Sequence, residues 1–200
     1  MTAQLRLAVE PAWPFADLQP AHYGLILADP PWAFRLFSDK GDRKSPQAHY
    51  TCLSLADIKA LPVAMLAASD CALLMWATWA MLPDAIATMA AWGFTYKTGL
   101  PWAKQSSTGR SWAFGTGYVL RNASEPLLFG TRGRPKVLSR GVRGLIVAPV
   151  REHSRKPDDA HLIAEKLYAG PRCELFARQR RPGWDVWGNE TEKFEEAVCG

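Results

Sequence analysis

Four consecutive residues carry the most chemical information in this sequence: Asp29, Pro30, Pro31 and Trp32, which follow the apolar run Leu25-Ile26-Leu27-Ala28. A short, wholly apolar run stopped by prolines reads as a buried strand, so the Asp29 carboxylate falls at its carboxyl end. The two prolines fix the backbone beyond it, which holds the carboxylate and a proline carbonyl as preorganised acceptors. Such a pair suits an exocyclic aromatic amine, a poor nucleophile because its lone pair is delocalised into the ring. Accepting both amine hydrogens draws the nitrogen towards a tetrahedral, reactive geometry, and the Trp32 ring can stack on the base that bears it. The plainer reading is a strand ending in a proline turn against a packed tryptophan.

Charge is the second signal. The 200 residues hold 24 Lys+Arg and 19 Asp+Glu, a net charge of +5. From Lys104 to Lys156 stand 11 basic residues and only two acids, Glu125 and Glu152, so that stretch carries +9 and the remainder −4. Clustered cations gain affinity for a polyanion by releasing its counterions, so nucleic acid is the expected partner. A solvated loop face is the bland alternative. Nine tryptophans are many for this length; they fill cores, and they also stack on nucleobases.

Cys52, Cys71, Cys173 and Cys199 form no CxxC pair, and His22, His49, His153 and His161 do not stand at zinc-ligand spacings beside them. Free thiols in a reducing cytoplasm, and no metal, are therefore expected. No apolar run of roughly 18 residues and no amino-terminal apolar signal segment is present, which argues against a membrane span or secretion.

The elements that must position these residues alternate. A strand over 25–28 is followed by a long surface loop at 33–50, a short helix from Ser54 with Asp57 as its capping partner, and a strand over 71–77. A helix with Pro83 near its start and Gly93 at its stop comes next, with Ile86, Met89 and Ala90 on one face. Strands are expected at 94–104, 125–130, 144–149 and 172–178, a polar loop at 105–117, and a helix between Pro157 and Gly170. Alternating strands and helices, with strands too apolar for a wet face, predict an α/β fold: a single domain with a mostly parallel sheet and helices on both sides. Ligands of such sheets bind at the carboxyl ends of strands, so Asp29, Trp102, Lys104, Lys156 and Arg178 can converge.

In order, the segments LILADPPW, AHYTCLSLADI, WATW, WGF followed by PWAK, EHSRKPDDAHLIAEKLY, RCELFAR and RPGWDVWGNE resemble the MT-A70-type adenine-N(6) methyltransferases. The resemblance runs nearly the whole chain. It implies a Rossmann-like fold in permuted order and an enzyme dependent on S-adenosyl-L-methionine that acts on DNA or RNA. By the same resemblance, Asp29, Pro30, Pro31 and Trp32 are the catalytic motif. Asp29, Lys156, Arg178, Asn189 and Glu190 hold the cofactor, with Glu190 where many members have Gln. Gln179, Arg180 and Arg181 stand where the family often has a polar pair, which makes Arg180 the candidate for the cofactor carboxylate. Tyr50 borders the adenine pocket, and Trp102, Lys104, Arg121, Asn122 and Glu125 line the substrate side together with Trp32.

The function this implies is methyl transfer to the exocyclic N(6) amine of adenine in DNA, from a base extruded from a duplex or taken from a single strand. The alternatives are the same reaction on RNA and a catalytically inactive nucleic-acid-binding partner subunit. No separate target-recognition domain fits in the length, so sequence preference is loose, borne by loops, or supplied by a homodimer or partner subunit. Phe114-Gly115-Thr116-Gly117 spells a cofactor-binding FxGxG, but it lacks a strand-turn-helix context and reads instead as flexibility near the substrate.

Overall fold

The computed structural model describes residues 13–32, 53–115, 119–152 and 154–194. Tyr50, the loop expected at 33–50, Cys52, Cys199, His49 and His153 lie outside them. The described chain forms β1 (Tyr23–Ala28), α1 (Leu55–Ala60), β2 (Ala67–Trp76), α2 (Leu82–Ala91), β3 (Thr95–Gln105), β4 (Ser124–Arg132), β5 (Ile146–Pro149), α3 (Asp159–Leu167), β6 (Arg172–Leu175) and β7 (Asp185–Trp187).

One seven-stranded sheet has the order β5-β3-β4-β2-β1-β6-β7. β1 is parallel to β2 and β6, β6 to β7, and β3 to β5, as the apolar runs lead one to expect. β4 departs from this pattern, because it is antiparallel to both β2 and β3. Among the described residues no helix stands between β3 and β4, and a connection without a crossover element joins antiparallel strands.

The side-chain alternation of β1 sorts the core into two layers. Ile26 and Ala28 pack with Leu73, Met75, Ile58 of α1 and Met89 of α2. Leu25 and Leu27 pack with Leu74, Trp76, Leu127 and the α3 residues Ala160 and Ala164. Helices thus cover both faces, and the architecture is a Rossmann-like α/β fold.

Local signals act largely as read. The Ser54 hydroxyl accepts from Asp57 N at 3.1 Å and donates to its carboxylate at 2.6 Å, closing the start of α1. Gly93 takes φ 80° where α2 stops. The buried stripe of α2 is Ala85, Thr88 and Met89, with Ala90 exposed rather than on the core face. The polar segment after β3 carries hydrogen-bonded turns through Ala113: Ser106 N reaches Ser111 O at 2.7 Å and Ala113 N reaches Lys104 O at 2.8 Å. Among the described residues no helix is long and apolar enough to cross a membrane, and Cys71 and Cys173 are buried free thiols. Burial pushes the Cys71 thiol up to about 12.

Register places the chemistry. Ala28 is level with Met75 on one side and Leu175 on the other, Trp76 is level with Leu127, and Trp102 with Glu125. Asp29, Glu125 and the residues that follow β2 and β6 therefore meet along one edge of the sheet.

Candidate active site

Asp29 leaves β1 at that edge and meets Lys156, whose Nζ lies 3.0 Å from each carboxylate oxygen. Arg178 Nη2 approaches the same carboxylate at 3.9 Å, and Arg178 Nε faces Glu190 at 3.7 Å. On the other side Glu125 lies 3.0 Å from Lys104 and 4.0 Å from Lys156. The result is a chain of alternating charges, Lys104, Glu125, Lys156, Asp29, Arg178 and Glu190. Burial raises the Glu125 carboxyl, but Lys156 and Lys104 outweigh it and hold the group below the usual carboxylate range. Burial likewise works against the charge of Lys156, which Asp29 and Glu125 restore, leaving its ammonium above the usual lysine range. Lys104 also sits 4.7 Å from the centre of the Trp102 ring, and Lys156 5.7 Å from that of Trp76.

The segment that carries Lys156 is built for the purpose. Sequence signals start the third helix at Pro157, whereas α3 starts at Asp159. Asp158 does not cap it, because its carboxylate is taken by Arg151 at 2.9 Å and by Arg181 at 2.5 Å. Those two guanidiniums hold Asp158 below its usual range against the opposing effect of burial. Arg151 also donates to the Lys156 carbonyl, so the lysine backbone is fixed from the same point. Past β6, Phe176 takes φ 61°, a left-handed conformation unusual for a bulky residue, ahead of Arg178.

Asp29 lines two sizeable cavities that share no other residue. The first, of about 310 Å³, is bounded by Pro31, Leu53, Phe176, Arg178, Trp187 and the turn Gly188-Asn189-Glu190. A Cβ on Gly188 would stand 2.8 Å from the Ala177 carbonyl oxygen and 2.9 Å from its nitrogen, so only glycine lets this turn press against the chain after β6. The second, of about 760 Å³, is walled by Pro30, Trp32, Trp76, Trp102, Lys104, Asn122, Glu125 and Lys156.

The structure thus brings together Asp29, Pro30, Pro31, Trp32, Trp102, Lys104, Asn122, Glu125, Lys156, Arg178, Asn189 and Glu190. Trp32 is only 5% exposed and its indole donates to the Trp76 carbonyl at 2.9 Å, so it forms a fixed wall. The Pro30 carbonyl already accepts from Trp32 N at 2.8 Å and keeps its second lone pair for another donor. Arg121 is exposed, its guanidinium 5.1 Å from the Phe114 ring centre. Arg180 is not part of the cluster: its side chain is 63% exposed, lies 3.9 Å from Glu192 and borders a separate depression with Asp17. Gly115 lines the larger cavity, while Thr116 and Gly117 lie outside the described residues. Sequence reasoning passed over Arg151, Trp76, Phe176 and Gly188. The WATW segment was a signal for Trp76, and nothing in the sequence signals the left-handed Phe176.

The basic stretch is divided by the fold. Lys104 and Lys156 serve the cluster, and Arg151 and Arg155 pair with Asp158 and Glu152. Arg110, Arg121, Arg134, Lys136, Arg140 and Arg143 are exposed. Arg134 N bonds to the Asp70 carboxylate at 2.7 Å, near the start of β2 and roughly 20 Å along that strand from the end that meets the charged cluster.

Residues 23–190 match the family model described as MT-A70. The chain belongs to the MT-A70 family. Among its relatives, the type II methyltransferase M.MunI of Mycoplasma sp is 32% identical over 88% of this chain and 81% of its own length. The MT-A70-like N(6)-adenosine-methyltransferase of Drosophila melanogaster is 31% identical over 85% of the chain. The METTL3 catalytic subunit of Homo sapiens is 28% identical over 85% of the chain. The chain spans 27% and 28% of the lengths of those two proteins. MT-A70 methyltransferases act on the N(6) amine of adenine and depend on S-adenosyl-L-methionine.

Proposed function

We propose that this MT-A70 chain methylates the exocyclic N(6) amine of adenine in DNA, with Asp29 at the reacting centre. The observation that carries this reading is the position of Asp29 as a shared wall of two cavities, clamped by Lys156 through both carboxylate oxygens. The match to most of a type II methyltransferase, against about a quarter of the adenosine methyltransferases, favours DNA over RNA.

The smaller cavity suits S-adenosyl-L-methionine by its donor set. Phe176 and Trp187 offer apolar surface, Asn189 and Glu190 offer acceptors suited to ribose hydroxyls, and Gly188 keeps the turn clear. Asp29, Arg178, Asn189 and Glu190 line this cavity and would hold the cofactor, Lys156 would reach it from the larger cavity beside Asp29, and Arg180 stands apart from them, facing Glu192. When bound, the cofactor supplies a methyl group activated on a positively charged sulfur.

The chain's own contribution is placement. The Asp29 carboxylate and the free lone pair of the Pro30 carbonyl accept the two amine hydrogens, while Trp32, Trp76 and Trp102 close the walls around the base. Lys156 and Arg178 fix the carboxylate before the base arrives, so no reorganisation is needed at the moment of reaction. A strong base is unnecessary, because the amine becomes acidic once methylated and loses its proton late. Asp29→Ala is expected to abolish methyl incorporation from labelled S-adenosyl-L-methionine into adenine-containing oligonucleotides while the protein stays folded. Near-wild-type turnover by Asp29→Ala would sink the mechanism. Comparison of matched DNA and RNA strands, with nucleoside analysis of the product, tests the choice of DNA.

A further inference from the structure

The mouth of the larger cavity carries three aromatic rings that the chemistry at Asp29 does not use. Trp79 is 45% exposed, Trp112 62% and Phe114 80%, and all three line this cavity. The inner walls are different, since Trp32, Trp76 and Trp102 are only 2–5% exposed. A base whose amine reaches Asp29 is enclosed by that inner set, so the outer rings serve something that lies beyond it.

Trp79 is held in place. Its indole Nε1 donates to Ser124 Oγ at 3.0 Å, and it begins a 3-10 turn, Trp79–Met81, that leads directly into α2. Ser124 adjoins Glu125, so the indole is tied to the charged cluster through β4. Trp112 is bridged to Gln105 at the end of β3. The Arg121 guanidinium lies over the Phe114 ring, which sets a cation beside the aromatic rim. A half-exposed ring pinned at one edge, on a rim whose Phe114 carries a cation, is an arrangement on which an unpaired base stacks while a charge further along meets the strand backbone.

We propose that Trp79 is a stacking platform for an unpaired nucleobase next to the target adenine, with Phe114 and Arg121 bordering the path of the strand. The chain thereby selects single-stranded or locally opened nucleic acid over closed duplex, whose neighbouring bases already stack on one another. This rests on the adenine-N(6) reading above.

The test uses a labelled single strand with one adenine, the same strand with abasic sites on both sides of that adenine, and the matching blunt duplex. Each is made in DNA and in RNA, and binding is followed by fluorescence anisotropy. Trp79→Ala is expected to weaken binding of the intact strand on the order of 5- to 150-fold. Abasic neighbours should cost the wild type a similar factor and cost Trp79→Ala nothing further. Trp79→Phe keeps a ring face and should lose less than Trp79→Ala, which preserves the test if the alanine variant melts. Unchanged affinity of Trp79→Ala for the intact strand, as when a protein partner rather than a base covers these rings, would overturn the proposal. So would independent losses from the mutation and the abasic sites, or an equal loss on the duplex. Because the readout is binding, methyl incorporation into the same strands reports separately on the reaction.

Discussion

Replacing Lys156 by Met removes the cation that grips Asp29 while keeping much of the side-chain volume. At an effective dielectric constant of ~20, attraction across the 3.0 Å separation is roughly 5 kcal/mol before desolvation is counted. After the change Asp29 keeps Arg178 at 3.9 Å, and Glu125 keeps Lys104 at 3.0 Å, so neither carboxylate is wholly abandoned. Breaking a buried pair from one side costs about 3–5 kcal/mol, and the remaining cations put this case near the lower end. The side chains of Lys156 and Asp29 are 15% and 13% exposed, which is too little for the weak behaviour of a surface pair. Urea unfolding should therefore show Lys156→Met less stable by about 3 kcal/mol. The double variant Asp29→Asn/Lys156→Met should be more stable than Lys156→Met alone, because a neutral amide tolerates the site without a cation. A loss under about 1 kcal/mol, or additive losses in the double-mutant cycle, would refute the argument. Calorimetry on the single variant should also show weaker S-adenosyl-L-methionine binding.

Three further outcomes are expected. Glu125 has a lowered folded value, so its contribution to stability is full above the unfolded value of about 4.3 and is lost as pH falls through the folded one. Lys156 has a raised value and loses its contribution as pH rises beyond about 10.4. Urea midpoints against pH should accordingly fall less steeply at the acid end in Glu125→Gln than in the wild type. Gly188→Ala places a methyl group 2.8–3.0 Å from three backbone atoms of Phe176 and Ala177. It should cost about 1–3 kcal/mol by thermal unfolding and reduce cofactor affinity. Leu73→Ala in central β2, where the side chain is fully buried, should cost about 2–5 kcal/mol with no shift in the pH profile.

Features encoded in adjacent residues were legible in the sequence. The apolar run before Asp29, the Ser54 cap and the Gly93 stop each depend on a local rule, and each stands in the structure. The antiparallel run of β4 and the three-residue β7 were not, because strand direction depends on the route of the connection and so short a strand has no periodicity. Asp29 and Lys156 stand 127 residues apart, so the family frame rather than any spacing placed them together. Arg180 is not drawn to the same cluster. In the irregular chain after β6, Arg178 turns inward to Asp29 while Arg180 turns out to Glu192. The left-handed Phe176 that begins this path has no glycine to announce it.

A single side chain, Asp29, forms part of both the cofactor-sized cavity and the aromatic cavity. Occupancy on one side cannot alter the carboxylate's orientation or its hold on Lys156 without altering what the other side meets. With cofactor and base on these two sides as proposed, whatever factor the one imposes on the other's binding is returned in equal measure.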